Sequence, residues 1–160
     1  FNRTHFMNLF GQEARRATRY GKKLTLLIFD LDYFKSVNDT YGHHAGDQVL
    51  VSFADVLRGE LRDSDVFGRL GGEEFCVLLV ETGRIGGQQL AERLRELIEG
   101  LEVMVDDRVI KITVSVGGTE WRAGDKNIDD VLIRADRALY VAKERGRNRV
   151  HFDRPDGTAL

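Results

Sequence analysis

The segment Leu24-Thr25-Leu26-Leu27-Ile28-Phe29-Asp30-Leu31-Asp32 decides the fold of this chain. Residues 24–29 are apolar on both faces, as is typical of a central strand that is covered above and below. The carboxylates of Asp30 and Asp32 end this strand, and an ionised carboxylate is costly to bury without a partner. Either the strand emerges into solvent here and the carboxylates cap a turn, or a hard cation such as Mg²⁺ offsets their charge.

Helical and strand-like patterns alternate on both sides of this strand. Residues 1–20 have apolar side chains at helical spacing, and Gly21 ends that helix. Glycines and polar residues break the periodicity over residues 36–46. Further on, the patterns predict helices at about 47–61, 90–101 and 127–146, and strands at 66–70, 75–80, 109–117 and 150–152.

The order of these elements predicts the fold class. Only Gly71-Gly72-Glu73-Glu74 separates two of the strands, and a glycine pair at that place favours a tight hairpin. A hairpin within alternating strands and helices argues against a fully parallel sheet. We therefore predict an α/β (α+β) fold with a mixed central sheet and helices on both faces, of the ferredoxin-like or palm type.

Composition places the chain among ordinary globular proteins and excludes several kinds of partner. The 160 residues predict one domain over residues 1–152, followed by a flexible tail at 153–160. The net charge of -2, from 24 basic and 26 acidic residues, has no basic excess that suits a nucleic acid or an anionic membrane. The single cysteine, Cys76, excludes an internal disulfide and is typical of a cytoplasmic domain.

The glycine-acid loop at 71–74 has two interpretations. It is either a solvated β-turn, or a place where the backbone approaches a ligand closely beside two acidic side chains. If its strand neighbours the strand that ends at Asp30, then Asp30 and Glu73 could share one metal ion. Carboxylates from two strands that hold Mg²⁺ on a triphosphate are a recurrent arrangement in phosphoryl transfer.

Several polar residues outside these strands are candidates for nucleotide contacts. Lys35, Lys143 and Arg147 are possible phosphate partners, although Lys143 also suits the C-terminal end of a helix. Asp47 is either the N-cap of a helix or an acceptor for the N1 and N2 donors of guanine. Asn38 is either a turn residue or an amide that reads the same guanine edge.

Three segments together resemble the GGDEF family of diguanylate cyclases. They are FDLDYFKSVNDTYGHHAGD at 29–47, RLGGEEF at 69–75, which is the Glu variant of the motif that names the family, and ADRALYVAKERGRN at 135–148. Several long motifs in the right order are far more specific than any one of them. The resemblance spans residues 2–150 and implies an enzyme that joins two GTP molecules into cyclic di-GMP and releases pyrophosphate.

The resemblance also implies roles for individual residues. The implied ligands of Mg²⁺, or of Mn²⁺, are Asp30, the carbonyl of Leu31, and Glu73. The implied contacts to the guanine and nucleoside come from Asn38, His43 and Asp47. The implied contacts to the triphosphate come from backbone amides around Phe34 and from Lys35, Lys143 and Arg147. Lys35 would also stabilise charge during transfer, while the general base is left open between Glu73 and Glu74.

A second site is implied by the Arg-x-x-Asp pattern that precedes the glycine pair in this family. Arg62 and Asp65 match that pattern, and Arg93 on the following helix matches an arginine that often completes the site. A guanidinium grips phosphate in a bidentate way and stacks on purines, so these residues suit a cyclic dinucleotide. The alternative is a charged helix end that leads into a turn. We expect cyclic di-GMP to bind here and to inhibit the enzyme.

The resemblance further implies partners for the domain. Each domain holds one GTP, so catalysis is expected in a homodimer with the two substrates antiparallel at its interface. The segment that opens the family upstream of residues 1–3 is missing, which predicts a longer parent protein with an N-terminal sensor or dimerisation module. A cytoplasmic location of the domain is compatible with a membrane-tethered parent. The alternative function is a silent module that binds GTP or cyclic di-GMP, but such modules usually lose a metal ligand or part of the glycine-acid loop.

Overall fold

The computed structural model describes residues 2–155 and contains five α-helices and seven β-strands within that range. In chain order they are α1 (Arg3–Tyr20), β1 (Leu24–Leu31), α2 (Phe34–Tyr41), α3 (His43–Glu60), β2 (Val66–Gly71), β3 (Glu74–Val80), α4 (Arg84–Glu99), β4 (Val103–Val105), β5 (Arg108–Ile110), β6 (Val114–Glu120), α5 (Ile128–Glu144) and β7 (Val150–Phe152). No helix in this part of the chain is long and apolar enough to cross a membrane.

Five of the strands form one mixed sheet with the order β2-β3-β1-β6-β7. β1 lies at its centre and pairs antiparallel with β3 on one side and with β6 on the other. β2 and β3 form the antiparallel hairpin, while β7 runs parallel to β6 at the opposite edge. The mixed central sheet predicted from the sequence is confirmed.

Each face of the sheet carries its own apolar core, so helices cover both faces as predicted. One core joins α3 and α4 to the sheet through residues such as Phe53, Leu94 and Phe29. The other joins α1 and α5 to the opposite face through residues such as Phe10 and Leu139. All eight positions of β1 are buried because its side chains alternate between these two cores.

Some element boundaries differ from the sequence prediction. Residues 36–46, where the periodicity breaks, contain most of α2 and the start of α3, which begins at His43 instead of residue 47. The predicted strand at 109–117 is instead two strands, β5 and β6, with an interruption at residues 111–113. β5 pairs with the short β4, which has no clear strand pattern, in a separate two-stranded sheet.

The start of the predicted tail is packed into the domain. Asp153 is fully buried, and its backbone N–H donates to the carbonyl of Gly118 at 3.2 Å. Its carboxylate accepts a 2.7 Å hydrogen bond from Arg122 and lies within ion-pair distance of Arg84 and Arg134. Residues 156–160 of the predicted tail lie outside the described residues.

α5 lies unusually close to the sheet at one point, which fixes the position of the residues that follow it. A Cβ atom placed on Gly117 of β6 would lie 2.3 Å from the carbonyl oxygen of Ala135 and 2.3 Å from the backbone nitrogen of Leu139. The helix backbone therefore rests directly on the backbone of β6, and any side chain at 117 would force the helix to shift. α5 then leads Lys143 and Arg147 toward the end of β1.

Candidate functional site

The centre of the candidate site is the C-terminal end of β1. Asp30 is 8% exposed and stands in the sheet between two neighbours, opposite Glu74 of β3 and Ser115 of β6. The strand therefore does not emerge into solvent at Asp30, which was one of the two interpretations of this segment. A carboxylate buried in the middle of a sheet needs a compensating positive charge.

The glycine-acid loop turns back beside the end of β1. Gly72 has a φ of 48°, which glycine adopts at little cost, and its carbonyl accepts from Nε of Arg69 at 2.9 Å. The carbonyl of Glu73 accepts a 3.3 Å hydrogen bond from the backbone N–H of Leu31. Pairing of β1 with β3 thus brings Asp30, Leu31, Glu73 and Glu74 to one end of the sheet, as the shared-metal hypothesis requires.

Lys143 supplies the positive charge in the described residues. Its ammonium group, near the C-terminal end of α5, donates a hydrogen bond to Oδ2 of Asp30. Burial raises the pKa of Asp30 above its ordinary value, although the hydrogen bond and charge of Lys143 oppose that rise. Burial also raises the pKa of Glu74, and the negative charges of Asp30 and Asp136 add to the effect. The acidic groups therefore repel one another and favour a cation between them.

The donor set suits a hard divalent cation. Oxygen atoms from two carboxylates and one carbonyl, with room left for phosphate oxygens, are the ligands that Mg²⁺ takes at nucleotide sites. Asp30, Glu73 and the carbonyl of Leu31, at the end of β1 and in the hairpin loop, could provide these atoms. Among residues 2–155, no group of three or more His, Cys, Asp or Glu side chains is arranged as a complete metal site. Asp30 and Glu73 are only two such side chains, and Mg²⁺ sites at nucleotides often have one or two carboxylates with phosphate oxygens as further ligands.

The start of α2 faces the same end of the sheet and is suited to bind an anion. Tyr33 precedes the helix in the left-handed conformation, with a φ of 56°, and its side chain makes no capping hydrogen bond. The backbone N–H groups of a first helical turn lack intrahelical acceptors, so they are available to a phosphate. Phe34 is buried against the core and fixes this turn, while Lys35 is exposed beside it.

Arg147 reaches the start of α2 from the turn after α5. Its φ is 63°, and its backbone N–H donates to the carbonyl of Ala142 at 3.1 Å. Its Cζ atom lies 4.9 Å from the centroid of the Tyr33 ring, which is a cation–π contact. Two cations predicted to contact phosphate, Lys143 and Arg147, are thus brought to the end of β1 and the start of α2.

The residues predicted to read guanine lie on α2 and α3, which pack together. Asn38 points at α3, since a Cβ atom placed on Gly46 would be 1.8 Å from its Oδ1 atom. Asp47 is the next residue and is exposed, and exposed His43 is the first residue of the same helix. The alternative role of Asp47 as an N-cap is wrong, because the residue before the helix is Gly42.

The fold thus brings the three sequence motifs to one end of the sheet. A family model described as diguanylate cyclase, GGDEF domain, matches residues 1–149. The chain belongs to the GGDEF family. This match confirms the resemblance inferred from the three sequence segments.

Individual relatives of this GGDEF domain agree with the match. Diguanylate cyclase A of Treponema denticola is 38% identical over 149 residues, which cover 91% of this chain and 40% of that protein. Diguanylate cyclase DgcP of Pseudomonas aeruginosa is 43% identical over 149 residues, which cover 93% of this chain and 22% of that protein. The chain therefore spans less than half of either curated relative.

A solved structure confirms the fold of this GGDEF domain. The crystal structure of the GGDEF domain of DgcB from Caulobacter crescentus in complex with c-di-GMP is 32% identical in sequence. The match covers 94% of this chain and 87% of that chain, with a TM-score of 0.91.

Of the residues predicted to bind product in this GGDEF domain, Arg62 and Asp65 follow α3, and Arg93 lies on α4. The guanidinium of Arg62 donates to Asp65 at 3.1 Å and to the carbonyl of Val80 at 2.7 Å. Nε of Arg93 donates to Glu60 at 2.9 Å from α4. Both arginines are thus held around the end of α3, and each side chain is more than half exposed.

Sequence reasoning missed the contacts of Asp32. This second carboxylate of the opening segment is 5% exposed, and we had considered only a turn or a cation as its partner. Its partners are on β6, on the residue before β6, and in the turn that carries Arg147. The alternating carboxylates at the end of an apolar strand were a visible signal, but their partners are more than 80 residues away in the sequence.

Proposed function

We propose that this GGDEF domain is the catalytic domain of a diguanylate cyclase that condenses two GTP molecules into cyclic di-GMP. The proposal is carried by one observation, the direct pairing of Asp30 with Glu74 beside the glycine-acid loop and Lys143. Three distant segments meet there, and each contributes a charged group of the kind that phosphoryl transfer needs. None of the residues that the family resemblance assigns to metal or nucleotide is replaced in this chain.

We propose the roles of the substrate-binding residues on the family resemblance, and their places in the fold are compatible with it. The amide of Asn38 and the carboxylate of Asp47 would read the guanine edge, with His43 beside the nucleoside. The first-turn amides at Phe34, together with Lys35, Lys143 and Arg147, would hold the triphosphate. The ligands Asp30, Leu31 and Glu73 would hold Mg²⁺, or Mn²⁺, which neutralises phosphate charge when bound.

The reaction joins a ribose 3′-hydroxyl to the α-phosphate of a second GTP. The new bond forms between the 3′-oxygen and the α-phosphorus while the bond to the pyrophosphate leaving group breaks. The hydroxyl proton passes to a base, for which Glu73 and Glu74 are the candidates, and Lys35 stabilises charge on the phosphates. Repetition with the roles of the two nucleotides exchanged closes the ring and releases a second pyrophosphate.

One domain presents one nucleotide site, so this chemistry requires two domains that face each other. We propose a homodimer in which the two GTP molecules lie antiparallel at the interface. An N-terminal sensor or dimerisation module in the parent protein would control that encounter, and a cytoplasmic location remains a prediction.

Product formation tests the catalytic proposal directly. The purified chain is incubated with GTP and Mg²⁺ at high protein concentration, and the nucleotides are separated by chromatography. We expect cyclic di-GMP and pyrophosphate, and we expect Glu73→Gln to abolish both because it removes a metal ligand and a candidate base. Glu102→Gln, at an exposed loop position, is the matched control. Bound GTP without product in an artificially dimerised form of the chain would favour the silent binding module.

We further propose product inhibition at Arg62, Asp65 and Arg93. The proposal is supported by the exposed guanidinium groups of Arg62 and Arg93, and by the cyclic di-GMP complex of the similar DgcB domain. The buried carboxylate of Asp65 accepts from Arg62 and would hold that guanidinium in place. Added cyclic di-GMP is expected to inhibit the chain, and Arg62→Ala is expected to relieve that inhibition while turnover is kept. Equal inhibition of the wild type and of Arg62→Ala by cyclic di-GMP would contradict this proposal.

A further inference from the structure

Asp32 is a buried carboxylate whose oxygen atoms are all engaged by other parts of the chain. Oδ1 accepts from the hydroxyl of Ser115 at 2.7 Å. Oδ2 accepts from the hydroxyl of Thr113 at 2.7 Å and from the backbone N–H of Asn148 at 2.9 Å. The Asp32 backbone N–H also donates to the carbonyl of Thr113 at 2.9 Å, so the residue is fixed from both ends.

The hydrogen bond to Asn148 matters because of what precedes that residue. Arg147 and Asn148 both have positive φ values, 63° and 45°, which asparagine tolerates but which are unfavourable for arginine. Such a turn persists only where its surroundings hold it. The carboxylate of Asp32 provides one side of that support at the Asn148 backbone.

The side chain of Asn148 provides the other side of the support. Its Oδ1 accepts from Arg95 of α4 at 2.9 Å, and its Nδ2 donates to Glu99 of the same helix. The turn is therefore held between the end of β1 and α4, with Arg147 projecting to the Tyr33 ring. Tyr33 is the residue after Asp32, so one short segment fixes both the backbone and the guanidinium of this turn.

We infer that Asp32 is a positioning residue whose carboxylate holds the turn at 147–148 and thereby aims Arg147 at the triphosphate site. The inference rests on the proposed function, in which Arg147 contacts phosphate. Asp32 itself touches neither nucleotide nor metal in this arrangement. The expected signature is therefore weaker nucleotide binding without a change in the metal requirement.

The kinetic test compares Asp32→Asn with wild type. We expect the KM for GTP to rise about tenfold with a smaller change in kcat, the order of magnitude for one charge-assisted hydrogen bond. The Mg²⁺ concentration that gives half-maximal activity is expected to stay the same. Asp32→Glu, which keeps the charge but moves the oxygen atoms, replaces Asp32→Asn if that variant does not fold.

Ser115→Ala is the matched control for a general loss of stability. It removes a hydrogen bond to the same carboxylate from the side opposite the turn, while Thr113 and the Asn148 amide still hold Asp32. We expect a lower melting temperature and an almost unchanged KM. An equal rise in KM for Ser115→Ala and Asp32→Asn would overturn the positioning role.

A double-mutant cycle tests the route through Arg147. If Asp32 acts on nucleotide binding through that guanidinium, Asp32→Asn adds no further rise in KM to Arg147→Ala. Fully additive effects on KM would overturn the inference.

A measurement without nucleotide separates this inference from the proposed function. The ¹⁵N Nε–H signal of Arg147, identified by its loss in Arg147→Lys, is expected to be shifted by the Tyr33 ring in wild type. In Asp32→Asn this signal should move to the chemical shift of a solvent-exposed arginine side chain. In Ser115→Ala its chemical shift should stay the same. A signal unmoved in Asp32→Asn overturns the inference, whereas a moved signal in a protein that makes no cyclic di-GMP contradicts only the proposed function.

Discussion

Replacement of Gly46 by alanine tests how α3 positions the side-chain amide of Asn38, which we propose reads guanine. A Cβ atom at this position would lie 1.8 Å from Oδ1 and 2.9 Å from Cγ of Asn38, and 3.2 Å from Cζ of Phe34. The contact with Asn38 is far shorter than any real contact, so the amide must rotate away. The backbone of α3 need not move, because the obstructing atoms belong to the end of a side chain.

The expected effect is a loss of guanine binding with little loss of stability. One misplaced neutral hydrogen bond corresponds to about 1 kcal/mol, so the KM for GTP should rise about fivefold. The free energy of unfolding should fall by less than about 1 kcal/mol, because the displaced amide can find water. Steady-state kinetics and urea unfolding measure the two quantities.

Gly59→Ala is the matched control, because it makes the same change in the same helix where nothing lies within 4 Å of the new Cβ. We expect unchanged kinetics and a slight gain in stability, since alanine is the better helix former. The reasoning is refuted if Gly46→Ala binds GTP as wild type does. It is also refuted if Gly46→Ala and Gly59→Ala alter the KM equally.

Three further predictions concern stability. Gly117→Ala should lower the free energy of unfolding by about 2 kcal/mol, because α5 must move off β6. Gly124→Ala, whose new Cβ meets open space, should leave it unchanged, so equal urea midpoints of the two variants would contradict this prediction. Asp153→Asn should lower the free energy of unfolding in urea by about 2 to 3 kcal/mol, because Arg84, Arg122 and Arg134 lose the carboxylate that they share. A change below about 0.5 kcal/mol would refute that role. The pKa of Glu74 in the folded protein is raised above its ordinary value of 4.5, so wild type should lose stability relative to Glu74→Gln as pH rises through 4.5. Melting temperatures measured without divalent cations test this. A stability advantage of Glu74→Gln that grows toward acid pH would contradict it.

The sequence predicted the sheet and both core faces because those depend on local apolar patterns. The two-faced segment at 24–29 is the central strand, and the glycine pair is the hairpin. The apolar pattern of α2 spans only eight residues and is a weak signal among polar ones, so α2 was missed although it carries Phe34, Lys35 and Asn38. Its helix forms because Phe34 and Val37 pack into the core of one sheet face, which is a tertiary effect.

Candidate site residues could be named where a motif carries them, whereas pairings between distant residues could not be predicted. The motifs contain Asp30, Glu73 and Lys143. The pairing of β1 with β3 brings the glycine-acid loop to Asp30, and the packing of α5 on the sheet brings Lys143 there. Nothing local indicates that Asp32 meets the Asn148 amide, or that buried Asp153 meets three arginines. Such pairings depend on the path of the whole chain, and single-sequence reasoning has no access to them.

The burial of β1 along its full length has a consequence for how such a domain can be regulated. The strand is hydrogen-bonded on both sides and covered on both faces, so its amides should exchange with solvent only when the whole domain unfolds. An input signal that locally melted the end of this strand would have to overcome nearly the entire folding free energy. Control is far less costly if it displaces intact domains relative to each other, so that the proposed homodimer forms or is prevented from forming.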